Sequence, residues 1–157
     1  EQGNRIPCPR FGTVTCGEHI AMEPIVYSMY LDETRVAPRH TGVELDGKLL
    51  LGAAGEEAIR GYAQRTNLPS YTRNTLSTLP RLIAECNAAI AQGYALDNEE
   101  AEIDVGCIGV LLRDGTGSPV AGLSVSAPIE RRRLAWVDEV IEAGKTISAQ
   151  LGYHAEQ

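Results

Sequence analysis

The sequence predicts an α+β fold in which helices pack on an antiparallel sheet. Its predicted elements run as strands, helices, a hairpin and a terminal helix, without the strand–helix alternation that a parallel sheet requires. The 157 residues are 43% hydrophobic, which suffices for one substantial core and argues against two domains. We therefore expect a single domain over residues 1–157, with an irregular lead-in at residues 1–17.

The first half of the chain predicts two strands followed by two helices. Residues 18–31 carry β-branched and aromatic side chains interrupted by Pro24, as in two strands of a meander. The second predicted helix begins with Glu56 and Glu57, whose charges suit a helix N-terminus. The predicted helices cover residues 45–51 and 56–66, and the predicted loops cover residues 32–42 and 67–75.

A third helix is predicted between Thr78 and Gly93. Ser77 or Thr78 can cap it, Pro80 suits its first turn and Gly93 ends it. Apolar residues recur inside it at helical spacing: Leu82, Ile83, Cys86 and Ile90. This spacing makes Cys86 a core residue. Residues 94–104, which follow, are predicted to be an acidic connection.

Residues 103–128 predict a β-hairpin, because two apolar runs flank the turn sequence RDGTG. If the loop is residues 114–117, Arg113 lies opposite Ser118. Counting away from the loop along both strands gives the other pairs, which include Cys107 opposite Ser124 and Gly109 opposite Gly122.

Alternation of side chains gives this hairpin two different faces. The predicted core face carries Ile108, Val110, Leu112, Ala121, Leu123 and Val125. The other carries small or weakly polar residues, namely Cys107, Gly109, Ser124 and Ser126. Hydroxyl and thiol groups there can bind a small ligand. The alternative is that small residues only permit close packing of a helix, and a register slip of one residue would exchange the faces.

Residues 130–151 predict a terminal amphipathic helix with an apolar stripe of Leu134, Val137, Val140, Ile141 and Ile147. The basic run Arg131–Arg133 would form its solvated first turn.

Charge and composition restrict the classes of function. The net charge is −7 and the pI about 5.0, which argues against nucleic-acid binding through this segment. No run is long enough to span a membrane and no secretory signal opens the sequence, so we expect a cytoplasmic protein with reduced cysteines. Cys8, Cys16 and His19 lack the ligand spacing of a zinc site. We expect neither metal nor cofactor.

Motifs of one known family occur in order along two thirds of the chain. They are Gly47-Lys48 with Leu50-Leu51, LPSYTRNT at 68–75, GYALDNEE at 93–100, Gly106-Cys107, the Arg113-Asp114 turn and SVSAP at 124–128. Together they resemble the effector-binding domain of IclR-type bacterial transcriptional regulators. The resemblance implies a GAF-like or profilin-like fold, homodimers or tetramers, and DNA binding through a winged helix-turn-helix domain that this sequence does not contain.

The resemblance also implies a site for a small organic effector. Its residues here are Asp97, Cys107, Ser124 and Ser126, with backbone N–H groups near Asp46 and Gly47. From the hairpin geometry, we expect Gly109 and Gly122 to keep the face open, because a larger side chain would project into the space for the ligand. The chain departs from the family before the first helix, where Glu44 and Asp46 add negative charge that disfavours a simple carboxylate effector.

Three other functions remain open at this level. Cys107 as the nucleophile of a GAF-like enzyme would need a base, and the three histidines are remote in sequence. The acidic residues between 97 and 104 suggest a hard-cation site but lack the EF-hand order. A purely structural oligomerisation module is the third.

Overall fold

The computed structural model describes the backbone of residues 45–154 and the side chains of residues 47–154. The predictions for residues 1–17, 18–31 and 32–42, and for Cys8 and Cys16, lie outside the described residues. The described elements are α1 (Leu45–Ala54), α2 (Glu56–Thr66), α3 (Leu79–Gln92), β1 (Ala95–Asn98), β2 (Val105–Arg113), β3 (Pro119–Pro128) and α4 (Trp136–Gln150).

The predicted α+β class is confirmed. The three strands form an antiparallel sheet in the order β1-β2-β3. Helix α4 packs on one face of β2 and β3, whereas α1 packs on the other face with α3 behind it. The sheet is therefore covered by helices on both faces. Within residues 45–154, no helix combines the length and apolar composition that a bilayer span needs.

The hairpin turn lies where it was predicted, but the loop is residues 114–118 instead of 114–117, and the predicted strand register is wrong by two residues. Asp114 N donates to Ser118 O and Gly117 N donates to Asp114 O, which closes the loop. Arg113 pairs with Pro119 instead of Ser118, and a bulge follows because Leu112 already pairs with Ala121. The observed pairs are Cys107 with Ser126, Gly109 with Ser124 and Leu111 with Gly122.

Both faces of the hairpin carry the predicted residues, because a register shift of two residues leaves each side chain on the same face of the sheet. Ile108, Val110, Leu112 and Leu123 form a buried cluster with Val137 and Val140 of α4. On the opposite face, Cys107 and Leu111 pack against a cluster of Leu49, Ala89 and Ala95. The small residues of this face therefore lie beneath α1.

The helical predictions are largely correct. Helix α1 continues three residues past the predicted end, and α2 has the predicted bounds. Thr78 precedes α3 as its N-cap, without a side-chain hydrogen bond, and Gly93 follows it with φ of 82°. Cys86 is fully buried, as predicted, with Leu82, Ile59 and Leu76 around it.

Two predictions in the second half are wrong. The acidic connection contains a strand, β1, because its N-terminal part pairs with β2 along Ala95–Asn98. The last helix begins at Trp136 instead of residue 130, since Arg131 N and Arg132 N donate to Pro128 O and form a turn. Leu134 consequently lies outside the helix and is 64% exposed.

Candidate functional site

Polar side chains from three neighbouring strands meet on the sheet face that α1 covers. Asp97 on β1 pairs with Cys107 on β2, which pairs in turn with Ser126 on β3. Cys107 Sγ lies 3.1 Å from Ser126 Oγ. Three of the four polar residues predicted for the site therefore form one row across the sheet. Sequence reasoning expected Asp97 to reach this face from a loop, whereas it lies on a strand.

The fourth residue, Ser124, lies one step further along the same face. It is opposite Gly109, and both residues are buried, as is Gly122. Cys107 and Ser126 are half-buried. Cys107 and Ser126 are therefore the more accessible part of this face, whereas Asp97, Ser124 and the two glycines are buried.

Helix α1 begins at the end of the sheet where the row of Asp97, Cys107 and Ser126 lies. Lys48, in its first turn, donates from Nζ to Leu96 O at 2.6 Å, next to Asp97. The first N–H groups of a helix have no intrahelical acceptor and attract negative or polar ligand atoms. Asp46 and Gly47 lie in this first turn of α1, so their backbone N–H groups belong to this unpaired set.

Burial dominates the electrostatics of Asp97, whose side chain is 5% exposed. Burial raises the pKa of Asp97 above its usual range, and the N–H of Glu100, Lys48 and Arg132 partly oppose this shift. Asp97 Oδ1 accepts a hydrogen bond of 2.8 Å from Glu100 N. A buried carboxyl whose ionised form is disfavoured is typical of a functional site.

A buried ion pair that sequence reasoning missed lies beside Asp97. Lys48 Nζ is 2.6 Å from Glu100 Oε1, and the two side chains are 1% and 9% exposed. Burial raises the pKa of Glu100, and Lys48 opposes that shift. Lys48 and Glu100 each lie in a motif that resembles the family. The sequence alone does not show that their side chains are in contact. The pair ties the first turn of α1 to the end of β1.

The loop LPSYTRNT at residues 68–75 contacts the end of β1 and the residues that follow it. Thr75 Oγ1 donates to Glu100 O at 2.6 Å, and Thr72 Oγ1 donates to Glu99 O at 2.6 Å. Asn74 Nδ2 donates to Asn98 O at 3.1 Å. These residues of the motif therefore position the segment after Asp97.

Acidic residues between 97 and 104 make structural contacts of this kind. Glu99 Oε1 accepts from Asp104 N, and Glu100 binds Lys48. Among the described residues, no group of three or more His, Cys, Asp and Glu side chains is arranged to hold a metal ion.

Cys107 lies in the middle of the row, between Asp97 and Ser126. Its sulfur has the Ser126 hydroxyl as a neighbour. His154 follows α4 near the hairpin turn, where Gly152 lies against Gly115, and this turn is at the other end of β2 from Cys107. That histidine is therefore not the base that a nucleophilic Cys107 would require.

Residues 28–152 match the family described as "Bacterial transcriptional regulator IclR C-terminal". The HTH-type transcriptional repressor AllR of Salmonella paratyphi A is 36% identical over 110 residues, which cover 68% of this chain and 40% of that protein. The chain thus spans less than half the length of such relatives.

Two solved structures show the same fold. The C-terminal domain of the Escherichia coli transcriptional regulator KdgR is 30% identical with a TM-score of 0.63, covering 73% of this chain and 71% of that chain. The second is a double mutant of the inducer-binding domain of the PobR transcription factor from Acinetobacter, in complex with 3-hydroxybenzoic acid. It is 22% identical with a TM-score of 0.63, covers 73% of this chain and 65% of that chain, and supports the fold alone. The chain belongs to the IclR family of bacterial transcriptional regulators, and most of it is the C-terminal domain of that family.

Proposed function

We propose that this domain binds a small hydroxylated organic effector on the face beneath α1 and thereby changes the DNA binding of a full-length regulator. The observation that carries the proposal is the row of Asp97, Cys107 and Ser126 across three strands, next to the first turn of α1. The half-buried part of this row gives a ligand access, and Ser124 adds a hydroxyl in the buried part of the face.

The chemistry of the row favours a ligand that both donates and accepts hydrogen bonds. An ionised carboxylate only accepts, so Asp97 would accept from a ligand hydroxyl or amine. The hydroxyls of Ser124 and Ser126 and the N–H groups of Asp46 and Gly47 would bind ligand oxygens. A hydroxy acid provides both kinds of group, whereas a plain dianion would place its charge beside Asp97.

The same proposal assigns DNA binding to a different part of a longer protein. The net charge of −7 opposes contact with phosphates through this domain. A winged helix-turn-helix domain of the kind expected for the family would bind DNA as part of a dimer or tetramer in the cytoplasm. Residues 1–157 would then act as one sensing and self-associating unit without chemistry at Cys107.

A melting experiment tests the proposal. The protein is heated with 3-hydroxybenzoate, glycerate, gluconate and, as a control without a hydroxyl, succinate. A ligand at 100 times its Kd adds about 2.7 kcal/mol to the free energy of unfolding. We expect at least one hydroxy acid to raise the Tm more than succinate does. A larger shift with succinate would contradict the proposed ligand class.

Self-association is tested separately by sedimentation of the same protein. We expect a dimer or larger species that increases with protein concentration. A strict monomer at high concentration would contradict this part of the proposal.

A further inference from the structure

One basic residue lies behind the row of polar side chains and contacts its backbone. Arg132 Nη1 donates to Asp97 O at 2.6 Å and is 3.4 Å from Cys107 O. Its Nη2 donates to Asn98 Oδ1 at 2.6 Å. A single guanidinium therefore bridges β1 and β2 at the pair formed by Asp97 and Cys107. Sequence reasoning assigned the run Arg131–Arg133 to a solvated helical turn, which is wrong for Arg132.

Arg132 lies on the opposite side of the sheet from the side chains of Asp97 and Cys107, which belong to the proposed effector face. Asn98 pairs with Gly106, and alternation points both away from the side chains of Asp97 and Cys107. A Cβ added to Gly106 would lie 3.1 Å from Arg132 Cδ. The aliphatic part of the Arg132 side chain therefore packs against the back of the sheet at this glycine. The guanidinium thus contacts the two carbonyls from behind and cannot reach a ligand on the front face directly.

The backbone of β1 is held by side chains at three successive carbonyl groups, because Lys48 donates to Leu96 O, Arg132 to Asp97 O and Asn74 to Asn98 O. The strand has four residues and pairs with β2 along one edge only among the described strands. Hydrogen bonds from a charged donor are stronger than those between neutral groups. Loss of this clamp would loosen the edge strand at Asp97, while Lys48 and Asn74 still hold the carbonyl groups on either side.

We propose that Arg132 is a positioning residue that fixes Asp97 and Cys107 for effector binding by clamping their carbonyl groups from the back of the sheet. This inference rests on the proposed function for its consequence and on the backbone contacts for its mechanism. Arg131 and Arg133 are exposed neighbours in the same basic run and make no such contact among the described residues. They provide matched controls of identical chemistry.

The first test needs no ligand. N-ethylmaleimide is reacted with the parent, Arg132→Gln, Arg132→Lys and Arg133→Gln, and the modification of Cys107 is followed by peptide mass spectrometry. We expect Arg132→Gln to raise the rate at Cys107 about tenfold, the factor that loss of one charge-assisted hydrogen bond implies for local opening. Arg132→Lys can still reach one carbonyl, so its rate at Cys107 should lie between those of the parent and Arg132→Gln. The rate in Arg133→Gln should equal that of the parent. Equal rates in Arg132→Gln and Arg133→Gln would overturn the inference.

Labelling of the buried Cys86 in the same samples reports global unfolding, so a variant that loses its fold is recognised by faster reaction at both cysteines. In that case Arg132→Lys decides: selective acceleration at Cys107 supports the clamp, and acceleration at neither or at both overturns it.

The second test adds 3-hydroxybenzoate and glycerate to the same variants in calorimetry. We expect about tenfold weaker binding in Arg132→Gln than in Arg133→Gln. Failure of the parent to bind either acid counts against the proposed function, while the labelling result still judges the clamp. Binding by Arg132→Gln as tight as by the parent would overturn the positioning role and leave the proposed function intact.

Discussion

Lys48 Nζ lies 2.6 Å from Glu100 Oε1, and this buried ion pair joins the first turn of α1 to the end of β1. Lys48 also donates to Leu96 O, so its ammonium group has two acceptors. No described residue provides a partner for Glu100 Oε2, which is fully buried. The pair lies on the same side as Asp97 and sets the distance between α1 and the sheet at the proposed effector site.

Removing one member of this pair should destabilise the domain strongly. Lys48→Met leaves the Glu100 carboxyl buried without its partner, which costs about 3–5 kcal/mol in comparable buried pairs. The double variant Lys48→Met with Glu100→Leu removes both charges and should recover a large part of that loss. Urea unfolding of the parent, both single variants and the double variant measures the coupling. Additive effects of the two substitutions would show that the pair contributes no specific interaction.

The pH dependence of stability should carry the signature of the buried Asp97. Folding raises the pKa of Asp97 above its usual 3.8, so the folded protein retains this proton to higher pH than the unfolded chain does. The contribution of this group to the free energy of unfolding therefore falls as the pH rises above about 4. We expect Asp97→Asn, which has no such titration, to gain stability relative to the parent as the pH rises from about 4 through the raised pKa of folded Asp97.

Asp114 provides a control of opposite sign for that experiment. Hydrogen bonds from Thr116 and Ser118 hold the pKa of Asp114 below its usual range, so its contribution is lost as the pH falls. Asp114→Asn should lose stability relative to the parent as the pH rises from the lowered pKa of folded Asp114 to just above the usual value of 3.8, and the difference should stay constant at higher pH. If the stability of Asp97→Asn and of Asp114→Asn relative to the parent changes with pH in the same direction, the raised pKa of Asp97 is contradicted.

Close packing between α4 and β2 predicts a cost for a single methyl group. A Cβ at Gly144 would lie 2.6 Å from Val110 Cγ2, which is too close for any real contact. Gly144→Ala should therefore lower the free energy of unfolding by about 1–3 kcal/mol through overpacking. Adding Val110→Ala opens space, so the double variant should lose less than the sum of the two single losses. Strict additivity in chemical unfolding would indicate that Gly144 is not in contact with Val110.

The sequence predicts the two faces of the hairpin correctly because alternation depends only on extended backbone. It does not predict the register, because a loop one residue longer than predicted and the bulge after Leu112 each shift the pairing by one residue. Cys107 therefore meets Ser126 instead of Ser124. A register slip of one residue would have reversed the faces, whereas this shift of two residues moved partners only along the same face.

The supporting contacts of the site are harder to predict. Strand β1 is four residues long and contains Asp97 and Asn98, which are uncommon in strands, so local propensity favours a loop. Arg132 belongs to a run of three arginines, and no local pattern distinguishes the one that contacts backbone carbonyls from its exposed neighbours. Both features depend on tertiary pairing, which single-sequence patterns do not contain.

Calorimetric titration of the hydroxy acid with the largest melting shift into the parent, Asp97→Ala, Ser124→Ala and Leu123→Ala tests the central claim most directly. Loss of one polar partner should weaken binding by about tenfold to a hundredfold, since an unpaired buried polar atom costs about 1–3 kcal/mol. Both polar variants should keep a cooperative melting transition, whereas Leu123→Ala should lose stability because it opens a cavity in the buried cluster beneath α4. Parent-like affinity in both Asp97→Ala and Ser124→Ala would contradict an effector site on this face.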